Sequence, residues 1–244
     1  MVDLSNKTLS QIVTDHYQTA RVFEKYRLDF CCQGKRSLTV ACNEKQIPVE
    51  DVLTDLYNAL STESGNSEFD KMSLQELVGY IVRVHHTYVK LNAPQISNYI
   101  LRVATKHGDR FPYMVEVYQL FAELIEELHD HMAKEETQLF PRITLLELNA
   151  SQNGNTPILN APIELMKQEH EQAGVLLSKI RKLTSDYTAP DQACTTFKLT
   201  LESLQAFEED LHKHVHLENN ILFPKTLQLF SPQLSEGDVC ALKR

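Results

Sequence analysis

Two segments of this chain repeat one pattern of side chains that bind metals. Glu126-Glu127-Leu128-His129-Asp130-His131 runs on to Glu135 and then to Leu139-Phe140-Pro141. Glu209-Asp210-Leu211-His212-Lys213-His214 runs on to Glu218 and then to Leu222-Phe223-Pro224. Residues four apart on an α-helix stand about 40° apart around its axis, so the imidazole and carboxylate of each His-x-x-x-Glu leave one face together. Such a pair suits iron, manganese or zinc. Taken singly, it is more often a contact between adjacent turns on a solvated face. Duplicated inside a longer repeat, it reads as a ligand set.

Two more histidines extend the symmetry. His131 and His214 are 83 residues apart, and His86 and His170 are 84 apart. Each half therefore offers one helix with a central histidine and one with His-x-x-x-Glu. Together they supply His86, His131, Glu135, His170, His214 and Glu218. Four nitrogens and two carboxylates over-supply one ion and suit two, with Glu135 and Glu218 bridging and two histidines on each. Two glutamate charges under-neutralise two such ions, and an oxo or hydroxo bridge is the natural supplement. Two six-coordinate ions need about twelve bonds and this set gives about ten, leaving about one open position per ion for a small diatomic.

The other histidines carry weaker expectations. His85 lies about 100° from His86 on a helix, and the residues alone allow the two to be exchanged. A lone helical histidine is as often core or solvated as it is a ligand, which weighs on His86 and His170. His129, His212 and His216 sit two residues from a ligand candidate, roughly 200° around, and are expected to face outward. His107 is at a helix end and His16 reads as packing. No His-Glu-x-x-His occurs, so the zinc-protease pattern is absent.

The elements that must position these residues are helical. Thr8-Leu9-Ser10-Gln11 is a capping box, followed at helical spacing by Ile12, Val13, His16, Ala20, Phe23 and Tyr26. Gly34 is expected to turn the chain through a positive φ. Pro48 suits the first turn of a second helix to Leu60. These residues, 1–61, form a small N-terminal domain. Residues 62–72 read as a polar linker. Ser73-Leu74-Gln75-Glu76 opens a long helix to Lys106-His107-Gly108, with a kink expected at Pro94. A second runs from Phe111 to about Leu148, a third from Asn160 to about Ser185, and a fourth starts at Pro190-Asp191. The class is all-α, with a four-helix bundle over residues 73–230 and a tail over 231–244.

The 244 residues are enough for this domain pair, with 42% hydrophobic residues and only 7 glycines. A net charge of −9 with no basic run argues against nucleic acid. The first residues contain no apolar leader, and no apolar run approaches a membrane span. The 5 cysteines, an odd number, suit reduced thiols in a cytoplasm. Cys42, Cys194 and Cys240 suggest no role. Cys31 and Cys32 are adjacent, and a bridge between neighbours is strained. They are candidates for thiol redox exchange, iron or nitrosyl handling, or client docking, against simple packing at a turn.

With these residues in view, the bundle resembles the hemerythrin-like family, whose di-iron sites use His-x-x-x-Glu pairs in a four-helix bundle. More closely, residues 8 to about 230 resemble the iron–sulfur cluster repair di-iron proteins, the YtfE/ScdA or repair of iron centres group. The motifs are Phe30-Cys31-Cys32-x-Gly34, Glu169-His170-Glu171 and Leu217-Glu218-Asn219-Asn220-x-Leu222-Phe223-Pro224. They are specific in combination. The resemblance implies two non-haem iron ions and recovery of iron–sulfur proteins after nitric oxide or peroxide damage. It favours His86 over His85, through Pro94 eight residues on, and marks His107 as a possible additional ligand. The implied partners are damaged iron–sulfur proteins and the diatomics nitric oxide and oxygen. A homodimer stays open. Competing readings are a reversible oxygen or nitric oxide binder, and an enzyme reducing nitric oxide.

Overall fold

Thr8 opens the first helix as its sequence predicts. Its side chain accepts from Gln11 N (3.2 Å), and the Gln11 side chain accepts in return from Thr8 N (3.1 Å). The computed structural model describes residues 3–31, 34–62, 68–149 and 159–229. Helix α1 (Leu9–Asp15) does not run on to Tyr26 as expected. It breaks at His16, turns through a 3-10 segment (Tyr17–Thr19), and resumes as α2 (Ala20–Lys25). Thr19 Oγ1 donates to the His16 carbonyl at 2.6 Å and fixes this corner. The corner lets Ile12, Val13, Val22 and Phe23 all bury in one core, which a straight helix would not.

Gly34 departs from expectation in an informative way. No described glycine has a positive φ. Gly34 is there because the chain passes too close for a side chain: a Cβ would lie 2.1 Å from the Phe30 carbonyl oxygen. Ser10 N then donates to the Gly34 carbonyl at 2.9 Å, tying this loop to α1. Helix α3 (Leu38–Glu44), unforeseen in the pattern, starts at Ser37, whose hydroxyl accepts from Val40 N. Helix α4 (Val49–Thr62) follows, then a short α5 (Glu68–Lys71) within the expected linker. Residues 63–67 of that linker, the tail at 231–244, Cys32 and Cys240 lie outside the described residues.

The first bundle helix is α6 (Leu74–Ile81), a π-turn over Val82–His86, and α7 (Thr87–His107). The Ser73–Glu76 capping box opens it, and the Glu147 carboxylate accepts from Leu74 N (2.7 Å) and Gln75 N (2.9 Å). Pro94 is absorbed inside α7, so the irregularity falls at the π-turn and not at the proline. The second is α8 (Tyr113–Lys134), a π-turn over Glu135–Leu139, and α9 (Phe140–Asn149). The third is α10 (Asn160–Leu183). The fourth is α11 (Thr195–Leu217), a π-turn over Glu218–Leu222, and α12 (Phe223–Gln228). The chain before it passes through three left-handed residues, Ser185, Asp186 and Tyr187, and the helix starts later than Pro190-Asp191 because that stretch forms a turn, with Ala193 N donating to the Pro190 carbonyl at 2.8 Å. No described helix is long and apolar enough to cross a membrane.

Helix α7 packs against α8 and α11, α8 against α10, and α6 against α9, as in an up-down bundle. Its core is two apolar clusters. One holds Val89–Ala104, Met114–Met132, Ala173–Ile180 and Phe197–Val215 positions, and shares its packing with Leu9, Phe23, Phe30 and Leu56 of the N-terminal unit. The other holds Leu74–Ile81, Leu139–Leu146, Ile163–Met166 and Leu217–Phe223 positions. On every bundle helix the ligand candidates fall at the junction between the two clusters.

Candidate metal centre

The six candidates converge in that junction. His86, His131, Glu135, His170, His214 and Glu218 are each 3% exposed or less. They form two groups: His86, Glu135, His214 and Glu218, and His131, Glu135, His170 and Glu218. Within each group the donor atoms lie within 4.8 Å of one another. Both glutamates belong to both groups, and each group draws one histidine from each sequence half.

Three π-turns place these residues. Each contains or begins at a ligand candidate: His86, Glu135 and Glu218. The Leu-Phe-Pro repeat explains two of them. Pro141 and Pro224 lack an N–H, and each ring would clash with the carbonyl four residues back in a regular helix. Widening the preceding turn to i→i+5 relieves this, a device frequent at functional sites. In the first π-turn, Thr87 Oγ1 donates to the Val82 carbonyl at 3.1 Å.

The imidazoles turn Nε2 inward. His86 Nε2 is 3.2 Å from His214 Nε2, and His131 Nε2 is 3.0 Å from His170 Nε2. Carboxylate oxygens stand among them: Glu135 Oε2 is 3.4 Å from both His86 Nε2 and His131 Nε2. Glu218 Oε1 is 3.0 Å from His214 Nε2, and Glu218 Oε2 is 3.1 Å from His170 Nε2. Three imidazoles are held from behind through Nδ1. His86 meets Glu136 (2.7 Å), His131 meets Glu169 (2.8 Å) and His170 meets Asn219 (3.0 Å). Lys90 and Lys134 in turn bind Glu136 (2.7 Å) and Glu169 (2.5 Å). Outer acceptors of this kind fix the Nδ1–H tautomer and leave the Nε2 lone pair free for a metal.

The donor set fits divalent ions. Ligands about 2.1 Å from one ion stand about 3–4.2 Å apart, the range seen here. Both Glu135 oxygens are buried without a hydrogen-bond partner, an expensive state that a cation would relieve. The field of the site favours positive charge. Against burial, the Glu135 and Glu169 carboxylates push His131 up to about 10. Burial and Glu218 oppose ionisation of Glu135, yet His131 and His86 outweigh them and hold its carboxyl below the usual range. The His131 hydrogen bond holds Glu169 down to about 2. A cavity of about 210 Å³ between α8, α10 and α11 reaches this layer, lined among others by His131, Lys134, Glu169, His170 and His214.

The remaining histidines divide. His85 is buried beside the site, its Nδ1 3.1 Å from Asp210 and its ring parallel to His214 at 5.6 Å. His86 and not His85 enters the groups. His129 is exposed as expected, at 76%. His212 and His216 are not: they are buried, because the N-terminal unit covers that face of α11. His212 Nδ1 is 3.0 Å from Glu24, and Phe30 packs edge-on against the His216 ring at 5.6 Å. Burial holds His216 down to about 3, so it is neutral there. His107 is not brought to the layer. It ends α7, more than five helical turns beyond His86, and its Nε2 lies 3.5 Å from Cys194 Sγ. Cys31 is buried, and the Asp29 carboxylate accepts from its N (3.0 Å) and Sγ (3.3 Å). Glu136, Asn219 and the lysines escaped the sequence reading. Glu136, Asn219 and Lys134 each adjoin a ligand candidate in sequence, and Lys90 stands one helical turn from His86.

The chain is similar to known proteins over most of its length. The hemerythrin HHE cation binding domain signature matches residues 53–226, and ScdA_N, a domain of unknown function, matches residues 5–60. An iron-sulfur cluster repair protein ScdA from Staphylococcus epidermidis is 33% identical over 220 residues, 89% of this chain and 96% of that protein. A probable iron-sulfur cluster repair protein from Haemophilus influenzae is 31% identical over 229 residues, covering 93% and 99%. An iron-sulfur cluster repair protein YtfE from Yersinia pseudotuberculosis is 32% identical over 228 residues, with the same coverage.

Proposed function

The chain belongs to the hemerythrin HHE cation binding domain family, and on that premise we propose that it repairs iron–sulfur clusters damaged by nitrosative or oxidative stress. It does so by holding two iron ions at His86, His131, Glu135, His170, His214 and Glu218, and by supplying iron or handling nitric oxide there. The observation that carries the reading is the pair of four-donor groups sharing both glutamates. The names of the relatives, iron-sulfur cluster repair proteins, supply the substrate class.

Bound at this layer, iron would supply Lewis-acidic, redox-active positions and a releasable cargo. The chain's own residues do the rest. Glu135 and Glu218 each reach both groups and would be shared by the two ions. Glu136, Glu169 and Asn219 hold His86, His131 and His170 with Nε2 inward. The two apolar clusters close the layer above and below, and the cavity admits small molecules from one side. Cys31 belongs to the unit packed on α11, and with Cys32 it would serve thiol exchange with a client. Damaged iron–sulfur proteins of the cytoplasm are the partners in this reading.

Reactivation of a nitric-oxide-inactivated iron–sulfur enzyme, such as aconitase or fumarase, tests it. The iron-loaded protein should restore activity and a Glu135→Leu protein should not. No recovery from iron-loaded protein would sink the repair reading. The cavity at His131, His170 and His214 favours one alternative, reversible binding of oxygen or nitric oxide. Clean reversible binding without iron loss, unchanged by substituting Cys31 and Cys32, would support that alternative.

A further inference from the structure

The two metal positions are not equivalent, and the difference lies behind His214. Three of the four inward-facing imidazoles have an acceptor on Nδ1. His214 Nδ1 has none among the described residues and is fully buried. Its neighbour there, His85, stacks on it face to face at 5.6 Å and offers no hydrogen bond; its own Nε2 is also unpartnered.

The consequence follows from the tautomer. A histidine that ligates through Nε2 must carry its proton on Nδ1. At His86, His131 and His170 an outer group stands within hydrogen-bond distance to accept that proton and orients Nε2 inward. At His214 no described group stands behind Nδ1 to accept it. Its Nε2 lies 3.0 Å from Glu218 Oε1. An ion held by its Nε2 would leave an Nδ1–H buried with no acceptor, a cost the other three histidines do not carry.

Resting on the two-ion reading above, we propose that the position formed by His86 and His214 holds its ion more weakly than the position formed by His131 and His170, and is the one emptied first. Charge does not undo the difference. Each position has one carboxylate behind one histidine, Glu136 behind His86 and Glu169 behind His131, and each of those is backed by a lysine. What remains is Asn219 behind His170 and nothing behind His214. Loss of one such partner changes metal affinity about 10–100-fold. The cavity is lined by His131 and His170 of the tighter position and by His214 of the weaker one, so access does not separate them.

The test is anaerobic Fe²⁺ equilibrium with a chromophoric chelator, counting ions per chain. The intact protein should show two classes about 10–100-fold apart. Asn219→Leu should weaken the tight class by that factor and bring the two together. Glu169→Leu should weaken the tight class only, and Glu136→Leu the weak class only. Melting of the metal-free variants checks that each folds, and three independent substitutions keep the test open if one does not. Two equal classes in the intact protein, or an unmoved tight class in Asn219→Leu, would overturn the inference and leave the two-ion reading standing. Fewer than two ions in the intact protein would remove that reading itself, and this inference with it.

Discussion

Helix α11 buries histidines on two sides, and the two sides differ in kind. Toward the bundle axis, His214 stands among other donors and shares its layer with Glu218. Toward the N-terminal unit, His212 and His216 are equally enclosed yet meet Glu24, Phe30 and Tyr17. One face collects lone pairs around a common point. The other uses the imidazole as a packing surface with one polar handle. Burial of a histidine is therefore no mark of chemistry; convergence of several donors is.

Substituting a shared glutamate should break this comparison most sharply. Glu218→Leu removes a donor from both groups, and bound iron should fall by at least about 100-fold in affinity. Metal analysis after gel filtration would read it, and full retention of two ions would contradict it. Metal removal should come next. A ligand present at 1,000 times its Kd stabilises the folded state by about 4 kcal/mol. Stripping iron should thus lower Tm in the intact protein and leave the Tm of Glu218→Leu nearly unchanged.

The opposite face should answer differently. His216→Ala deletes a fully buried ring that packs on Phe30 and Tyr17, and should cost about 2–3 kcal/mol in denaturant unfolding. Its iron content should stay at the native value. The smallest effect is expected at Glu24→Gln, about 1–2 kcal/mol, and it depends on pH. Although burial opposes it, Glu24 pushes His212 up to about 9 in the folded protein. A folded pKa above the ordinary value of about 6.5 gives stability that is complete below pH ~6.5 and lost as pH rises through about 9. In metal-free protein, the Tm gap between the intact chain and Glu24→Gln should be widest at pH 6 and close by pH 10. A constant gap would assign Glu24 a role other than holding a charged His212.

Much of the layer was legible in the chain itself, because its signals are local. The His-x-x-x-Glu spacing, its repetition and the matching interval between His86 and His170 placed all six residues on inward helical faces. The capping boxes at Thr8 and Ser73 marked two helix starts correctly. What escaped depended on contacts distant in sequence. His212 and His216 read as outward because helical angle says nothing of a second unit packed on that side. Gly34 read as a positive-φ turn because the approach of the Phe30 carbonyl is a tertiary fact. The π-turns before Pro141 and Pro224 could have been suspected from those prolines, which a widened turn accommodates, whereas Val82–His86 has no adjacent proline and Pro94 sits within regular helix. His107 shows the limit of reasoning by resemblance: the residue matches, but α7 carries it to the far end of the bundle.

The most direct measurement is Mössbauer spectroscopy on protein loaded anaerobically with ⁵⁷Fe, with iron counted per chain. Two ions bridged by Glu135 and Glu218 should appear as two irons per chain, magnetically coupled to each other. One iron per chain, or two that behave as isolated ions, would contradict the shared-glutamate centre on which this account rests.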